Sequence, residues 1–283
     1  MQSRRLYNGI ELPMIGYGTF QIKDAAQCEQ CISEALEAGY RLFDTAASYE
    51  NEAAIGRALR SSGLPREEWF ITTKLWVQDA GYDGTLRAFD HSLKMLGLDQ
   101  IDLYLIHQPF GDYYGAWRAI ERLYREGAVR AVGVSNFTPD RLVDLCMNQE
   151  LKPMVNQIEI HPFFQQDTAL RVMEDYGVVP QAWGPFSEAQ KDIFNHKTLA
   201  RIAGRHGKTT AQVILRWHLQ RNIPTIPKTV HPERMAENLD IFDFELTEKE
   251  TERIAGMDIG HSEIIDHHCF CTARQLNSVK IHG

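Results

Sequence analysis

Short apolar runs alternate with longer amphipathic stretches along most of the chain. Eight apolar runs predict strands, over 14–20, 41–44, 70–74, 101–107, 129–136, 153–159, 178–183 and 223–228. Between them, apolar positions that recur with the helical period predict helices clearly over 25–38 and 52–62, and also over 83–96, 139–149, 167–176 and 210–221. Several of these stretches end directly before a glycine, which is typical of a left-handed helix cap.

This alternation of strands and helices predicts a parallel sheet. Eight such units in 283 residues fit a (β/α)₈ barrel, and an open doubly wound sheet is the alternative. Because no linker-like segment divides the chain, we expect residues 1–283 to form a single domain. Asn8-Gly9 between apolar positions predicts a hairpin before the barrel, and 231–257 predicts one or two further helices after it. We expect 258–283 to be an irregular tail.

Composition and charge narrow the class of protein. Apolar residues make up 43 % of the chain, enough for a large core, and the formal net charge of −8 argues against broad binding to nucleic acid. No apolar run is long enough to cross a membrane, and the N-terminus lacks the apolar core of a secretory signal. We therefore expect a cytoplasmic protein that binds neither nucleic acid nor a membrane.

The five cysteines do not form a regular framework. Cys28 and Cys31 lie on or beside the apolar stripe of a predicted helix, which favours core packing over a redox or metal pair. The sequence HHCFC at 267–271 has no matching second pair of ligands elsewhere. We therefore predict no metal site.

Polar residues lie at or near the ends of seven of the predicted strands: Asp44, Lys74, His107, Ser135, Asn136, Gln157, Glu159, Trp183 and Lys228. In a parallel barrel the carboxyl ends of all strands meet on one rim, where barrel enzymes hold their chemistry. A lone histidine after a strand is more often structural, and a lone lysine there is usually just solvated. Asp44, Lys74 and His107 lie on neighbouring predicted strands, and purely structural or solvated roles do not readily explain all three together.

Tyr49, five residues after Asp44, completes a group that can move a proton. A phenol has a pKa of about 10, and a neighbouring ammonium lowers it. We therefore predict that Lys74, held by Asp44, lowers the pKa of Tyr49 enough for it to exchange a proton near neutral pH. We also predict that His107 orients the reacting oxygen. This group suits protonation of a carbonyl oxygen, and the hydride that must reach the carbon implies a nicotinamide cofactor. A barrel hydrolase, which would bind no nicotinamide, is an alternative.

In these motifs the chain resembles the aldo-keto reductase family, including its bacterial 2,5-diketogluconate reductases and aldehyde reductases. The motifs follow the family order: GYGTFQ (16–21), FDTAASYENE (43–52), ITTKLW (71–76), LYLIHQP (103–109), GVSNF (133–137), NQIEIHP (156–162) and IPKTVHPERMAEN (226–238). The resemblance implies a (β/α)₈ barrel whose N-terminal hairpin closes the bottom. It also implies NADPH-dependent reduction of aldehydes and ketones, with Tyr49, Asp44, Lys74 and His107 as the catalytic tetrad.

The same resemblance assigns the binding residues. Those implied for NADPH/NADP⁺ are Ser135, Asn136 and Gln157 at the carboxamide, Trp183 stacked on the nicotinamide, Thr19 and Asp44 beside it, Lys228, Thr229 and Arg234 at the 2′-phosphate, and Glu237 and Asn238 at the adenine. The substrate pocket of the family is shaped by the tail and by the loops at 76–84 and 108–117. Its implied walls here are Phe20, Trp76, His107 and Gln108.

Three departures from the family pattern concern the ligands. Gln108 stands where the family commonly has tryptophan, the sequence GPFSEAQ (184–190) replaces a glycine-rich segment, and the tail matches no familiar ending. We expect a monomer that reduces a small-molecule carbonyl substrate, such as a sugar-derived ketone or a small reactive aldehyde. The alternative is an NADPH-binding sensor or regulatory protein on the same fold with little turnover.

Overall fold

The computed structural model describes residues 2–283, and they begin with the predicted hairpin. Strand β1 (Ser3–Arg5) pairs antiparallel with β2 (Glu11–Pro13), and Gly9 takes the positive φ of 89° that the turn between them requires. In the turn, the Tyr7 hydroxyl donates to the Lys152 carbonyl and the Asn8 amide donates to the Arg130 carbonyl. Both carbonyls lie near the amino-terminal ends of barrel strands, so the hairpin covers the bottom of the barrel.

Seven parallel strands follow in chain order around the sheet: β3 (Tyr17–Gly18), β4 (Leu42–Asp44), β5 (Phe70–Leu75), β6 (Ile101–Ile106), β7 (Val129–Ser135), β8 (Val155–Glu159) and β9 (Val179–Trp183). The eighth predicted strand, 223–228, lies between β9 and β3. Its backbone hydrogen-bonds to both neighbours, as from the Gly18 N–H to the Pro227 carbonyl, but β-bridges form only at Thr225, to Ile15 and Ala182. Pro224 and Pro227 lack the N–H groups that a longer ladder needs. The barrel is therefore closed as predicted, and an open sheet is excluded.

Eleven α-helices are present in residues 2–283: α1 (Ala25–Ala38), α2 (Glu52–Ser61), α3 (Tyr82–Leu96), α4 (Tyr113–Arg125), α5 (Pro139–Asn148), α6 (Asp167–Tyr176), α7 (Lys197–His206), α8 (Thr210–Gln220), α9 (Pro232–Leu239), α10 (Glu248–Ala255) and α11 (Phe270–Ser278). The clearest predicted helices are confirmed to within one or two residues. None of the helices in this described part is long and apolar enough to cross a membrane.

The sequence interpretation missed α4, gave no bounds for α7, and was wrong about parts of two segments. The expected loop at 108–117 becomes helical at Tyr113, because the Asp112 side chain caps the helix by accepting from the Gly115 N–H. The expected irregular tail contains α11, which begins at Phe270 and has Cys269 as its N-cap. Cys269 and Cys271 form a disulfide at this helix start, whereas Cys28 and Cys31 are buried free thiols, as core packing predicts.

Candidate active site

The ends of β4, β5 and β6 bring three of the four predicted catalytic residues together. Asp44 ends β4, Lys74 lies near the end of β5, and His107 directly follows β6. The β4–β5 and β5–β6 ladders fix their register, since Asp44 pairs with Thr72 and Lys74 with Leu105. The polypeptide then turns through a single 3₁₀ turn over 47–49, which carries Tyr49 back over the rim.

Lys74 is the centre of this group and is fully buried. Its ammonium donates to Asp44 Oδ1 at 2.5 Å and to the Thr45 carbonyl at 2.9 Å, and it lies 3.3 Å from the Tyr49 hydroxyl. Gln157 Nε2 donates to the other carboxylate oxygen of Asp44 at 2.7 Å. A buried ion pair is stable only when its remaining polar atoms are satisfied, and these contacts meet that condition.

The pKa of Lys74 lies above its ordinary value. Burial by itself favours the neutral amine, but Asp44 and then Tyr49 outweigh this effect. Lys74 is therefore charged at neutral pH, and its positive charge is directed at the Tyr49 oxygen.

The predicted lowering of the Tyr49 pKa was wrong in its net direction. Burial raises the pKa of the Tyr49 phenol, and the charge of Lys74 opposes this rise without cancelling it. Desolvation penalises the phenolate, which is a cost that the sequence argument left out. The phenol consequently carries its proton at neutral pH, and this is the form that can donate a proton to a carbonyl oxygen.

His107 completes the tetrad as a neutral imidazole. Burial, together with Lys74 and His267, holds the pKa of His107 well below its usual range. The ring lies edge-on to the rings of Tyr49 and Trp76, with centroid distances of 5.6 and 5.3 Å, and Nδ1 lies 3.3 Å from Ser48 Oγ. A neutral imidazole can hydrogen-bond to a substrate oxygen without adding a second buried charge beside Lys74.

The residues implied for the carboxamide lie together where β7 and β8 end. Ser135 Oγ donates to the Gln157 carbonyl at 2.8 Å, and Asn136 Nδ2 donates to the His107 carbonyl at 3.0 Å. Trp183, at the end of β9, donates its indole N–H to Asn136 Oδ1 at 2.9 Å. This last contact orients the Trp183 ring.

Thr19 lies deeper, next to the tetrad. It is buried, and its hydroxyl donates to the Asp44 carbonyl at 2.8 Å. Glu159, noted on sequence grounds at the end of β8, is also buried, but it accepts hydrogen bonds from Ser262 and lies 2.9 Å from His161 Nε2. The structure thus places Glu159 at the base of the C-terminal tail.

The residues implied for the adenosine end lie in the segment before α9 and along that helix. Lys228 and Arg234 are exposed, and within residues 2–283 neither forms an ion pair. Thr229 between them is buried and accepts from the His231 N–H. Glu237 accepts from the Thr209 hydroxyl at 2.7 Å, and Asn238 is buried on the same helix. Two unpaired cations beside a helix start leave room for an anionic group.

The implied pocket walls surround Tyr49 and His107. Phe20 is 49 % exposed, and its ring lies 5.0 Å from that of Tyr49. Trp76 and Gln108 are buried, and both contact the C-terminal tail. The Trp76 indole N–H donates to the Val279 carbonyl at 3.0 Å, and Gln108 Oε1 lies 2.9 Å from His267 Nε2.

The sequence interpretation missed the tail residues at this site. His267 was considered only as a metal ligand, and among residues 2–283 no cluster of three or more ligand side chains suits a metal ion. The tail also holds the loop after β5, where the Ile281 N–H donates to Gln78 Oε1 and His282 Nε2 lies 2.9 Å from an oxygen of Asp79. The linear sequence gives no signal for these contacts, because about 200 residues separate the partners.

Comparison with known proteins identifies the family of this chain. The model of the aldo/keto reductase family matches residues 14–259. Glyoxal reductase of Bacillus subtilis (strain 168) is 44 % identical over 255 residues, which cover 90 % of this chain and 92 % of that protein. Morphine 6-dehydrogenase of Pseudomonas putida is 43 % identical over 269 residues, covering 90 % of each chain.

Solved structures are equally similar. The crystal structure of MGS-M4, an aldo-keto reductase from a Medee basin deep-sea metagenome library, superposes with a TM-score of 0.92 at 43 % identity, covering 94 % of this chain and 99 % of that one. A Bombyx mori aldo-keto reductase in complex with NADP gives a TM-score of 0.88 at 32 % identity, covering 93 % and 94 %. The chain belongs to the aldo/keto reductase family. It is an oxidoreductase of carbonyl groups, and the hydrolase alternative is excluded.

Proposed function

We propose that this protein uses NADPH to reduce small aldehydes and ketones to alcohols, with Tyr49 as the proton donor. The observation that carries the proposal is the buried group in which Lys74 contacts both Asp44, at 2.5 Å, and the Tyr49 hydroxyl, at 3.3 Å. Such a group has no nucleophile for hydrolysis and is suited to placing a proton on an oxygen that gains negative charge.

The residues present fit an NADP cofactor. The unpaired cations Lys228 and Arg234 suit a 2′-phosphate, which an arginine can bind through two N–H groups. Ser135, Asn136 and Gln157 would hold the carboxamide, and Trp183 would lie against the nicotinamide ring. Thr229, Glu237 and Asn238 would complete the adenosine end, with Thr19 and Asp44 beside the nicotinamide. When bound, NADPH supplies the hydride.

The chain itself supplies the proton and the polar surroundings of the carbonyl. The Tyr49 phenol donates its proton to the carbonyl oxygen as that oxygen becomes an alkoxide. The Lys74 ammonium stabilises the phenolate left on Tyr49, and Asp44 keeps that ammonium charged and in position. The neutral His107 would hydrogen-bond to the same substrate oxygen and orient it toward the Tyr49 hydroxyl.

The proposal is tested by titrating the protein with NADPH and then following the loss of reduced nicotinamide absorbance with a panel of carbonyl compounds. We expect binding of NADPH and turnover of small aldehydes. Binding without turnover of any compound would instead favour a sensor or regulatory protein, and no binding of NADPH would contradict the proposal.

The side chain at position 108 is expected to set the ranking of substrates. Gln108 presents an amide where the family pattern implies an indole, so a polar wall should favour dicarbonyl or polyhydroxylated substrates over aromatic aldehydes. The relative from Bacillus subtilis is named for the dicarbonyl glyoxal. We expect Gln108→Trp to shift the ratio of kcat/KM values toward aromatic aldehydes, measured with methylglyoxal and benzaldehyde. An unchanged ratio would place Gln108 outside the pocket.

Lys228 and Arg234 are expected to determine the preference for NADPH over NADH. Hydrogen bonds to a charged group contribute about 1.5–3 kcal/mol each, so two of them imply a preference of roughly 10²–10⁴. Lys228→Met and Arg234→Ala should each weaken NADPH binding by about tenfold or more and leave NADH binding nearly unchanged. Dissociation constants from fluorescence quenching test this, with the exposed Lys280→Met as a matched control. Equal weakening of both cofactors would show that these residues do not bind the phosphate.

A further inference from the structure

The contact between the tail and Gln108 orients a polar group beside the reacting centre. Gln108 directly follows His107 and is 7 % exposed. His267, from the tail between α10 and α11, lies 2.9 Å from Gln108 Oε1 through its Nε2. It is also close enough to His107 to affect the pKa of that imidazole. The matched part of the family model ends at residue 259, so His267 lies outside it.

The two facing atoms, Gln108 Oε1 and His267 Nε2, fix the direction of this hydrogen bond. An amide oxygen only accepts, so the imidazole must carry a proton on Nε2 and donate it. Burial lowers the pKa of His267 to about 4, so the ring is neutral at neutral pH. A neutral imidazole has one N–H, and here Gln108 occupies it.

This contact leaves the amino group of the Gln108 amide free. Among residues 2–283, Gln108 Nε2 has no hydrogen-bond partner, and it is not one of the unpartnered polar atoms that protein fully encloses. The terminal torsion of glutamine has two broad, nearly equivalent orientations, which exchange the amide oxygen and nitrogen. Without the N–H of His267, the Gln108 amide is free to rotate, and its oxygen can take the position of its nitrogen.

We infer that His267 is a positioning residue that makes Gln108 present an N–H donor to the substrate, and so selects carbonyl substrates with a second oxygen next to the reacting carbonyl. This inference rests on the proposed reduction and names the substrate class for it. A vicinal carbonyl, hydroxyl or carboxylate oxygen accepts from the oriented amide. With the opposite orientation, the amide oxygen would face the oxygen of a vicinal carbonyl or carboxylate, and neither oxygen can donate. A simple aldehyde of the same length has no vicinal oxygen, so it forms no hydrogen bond with the Gln108 N–H.

Methylglyoxal and propanal form a matched pair of probes, because both are three-carbon aldehydes and only methylglyoxal has a vicinal carbonyl. We expect His267→Leu to lower kcat/KM for methylglyoxal by about two- to tenfold, the range for one neutral hydrogen bond. The value for propanal should stay within about twofold of wild type on the same scale. His267→Gln, which keeps an N–H at a similar distance along the side chain, should restore most of the preference. His268→Ala, an exposed neighbour, is the control and should change neither value.

A double-mutant cycle with Gln108→Leu separates orientation of the amide from a general effect on the fold. If His267 acts through Gln108, then His267→Leu should cause no further loss of the methylglyoxal preference in the Gln108→Leu background. Equal losses for both probes, or additive losses in the cycle, would overturn the inference while leaving the proposed function intact. A wild-type protein that reduces neither probe with NADPH would overturn both.

Discussion

Tyr49→Phe is expected to remove most of the turnover and leave NADPH binding nearly unchanged. The substitution deletes only the hydroxyl that lies 3.3 Å from Lys74 Nζ. General acid catalysis contributes roughly 10²- to 10⁴-fold, so kcat should fall by about that factor. The measurement pairs steady-state rates with a small aldehyde and the dissociation constant of NADPH.

A matched control is Tyr82→Phe, since Tyr82 is an exposed tyrosine at the start of α3. This variant should keep wild-type rates. If Tyr49→Phe retained half of the wild-type rate, Tyr49 could not be the proton donor. If NADPH binding were lost as well, the phenol would have a role in the fold of the site that the proposed mechanism does not include.

Lys74→Met is expected to impair both turnover and stability. Removing one partner of a buried ion pair typically costs about 3–5 kcal/mol, because the remaining charge is left uncompensated. Here the remaining charge is the Asp44 carboxylate, which retains only the hydrogen bond from Gln157 as a side-chain partner. The free energy of unfolding, from urea titration, should fall by about that amount near neutral pH.

The stability loss in Lys74→Met should depend on pH in a defined direction. Burial already acts to raise the pKa of Asp44, and loss of the lysine removes the main opposing effect. A carboxyl group whose pKa is raised by folding favours the folded state at low pH, and this contribution is lost as pH rises through the raised pKa. The deficit relative to wild type should therefore shrink as pH falls through the raised pKa of Asp44. A deficit that does not vary with pH would contradict this account.

The double variant Lys74→Met/Asp44→Asn separates stability from catalysis. Removing both charges should recover much of the lost stability, because no buried charge remains unpaired. It should not recover turnover, because the phenolate formed on Tyr49 still lacks a neighbouring cation. In Lys74→Met, the rate of any residual reduction should begin to fall at a higher pH than in wild type. The reason is that the lysine charge acts to lower the pKa of Tyr49, the proton donor. Recovery of turnover in the double variant would contradict the role proposed for Lys74.

Much of the fold follows from local patterns. The alternation of apolar runs and amphipathic stretches predicted the parallel barrel, and most helix bounds were correct because glycine caps mark their ends, as at Gly39 and Gly177. The catalytic group could be proposed for a related reason. In a parallel barrel every strand ends on the same rim, so Asp44, Lys74 and His107 had to converge once the strands were identified.

Other features depend on contacts that no local pattern contains. The direction of the Tyr49 pKa is set by how completely the phenol is removed from water, and this depends on packing around the whole rim. The closing segment 223–228 reads as a strand, but its two prolines and its neighbours limit it to bridges at Thr225. Neither degree of burial nor ladder length is a property of the segment alone.

The C-terminal tail shows most clearly which features follow from the sequence and which depend on tertiary contacts. Its sequence determined that it carries two adjacent histidines and two cysteines, but suggested only an irregular segment with a weak likeness to a metal site. Tertiary structure decided that His267 lies against Gln108 and that Val279 lies against Trp76. Hydrophobic and helical periods report on neighbours along the chain, whereas these contacts join residues 159 and 203 positions apart. Only the closed barrel, with the tail folded across its rim, brings those residues together.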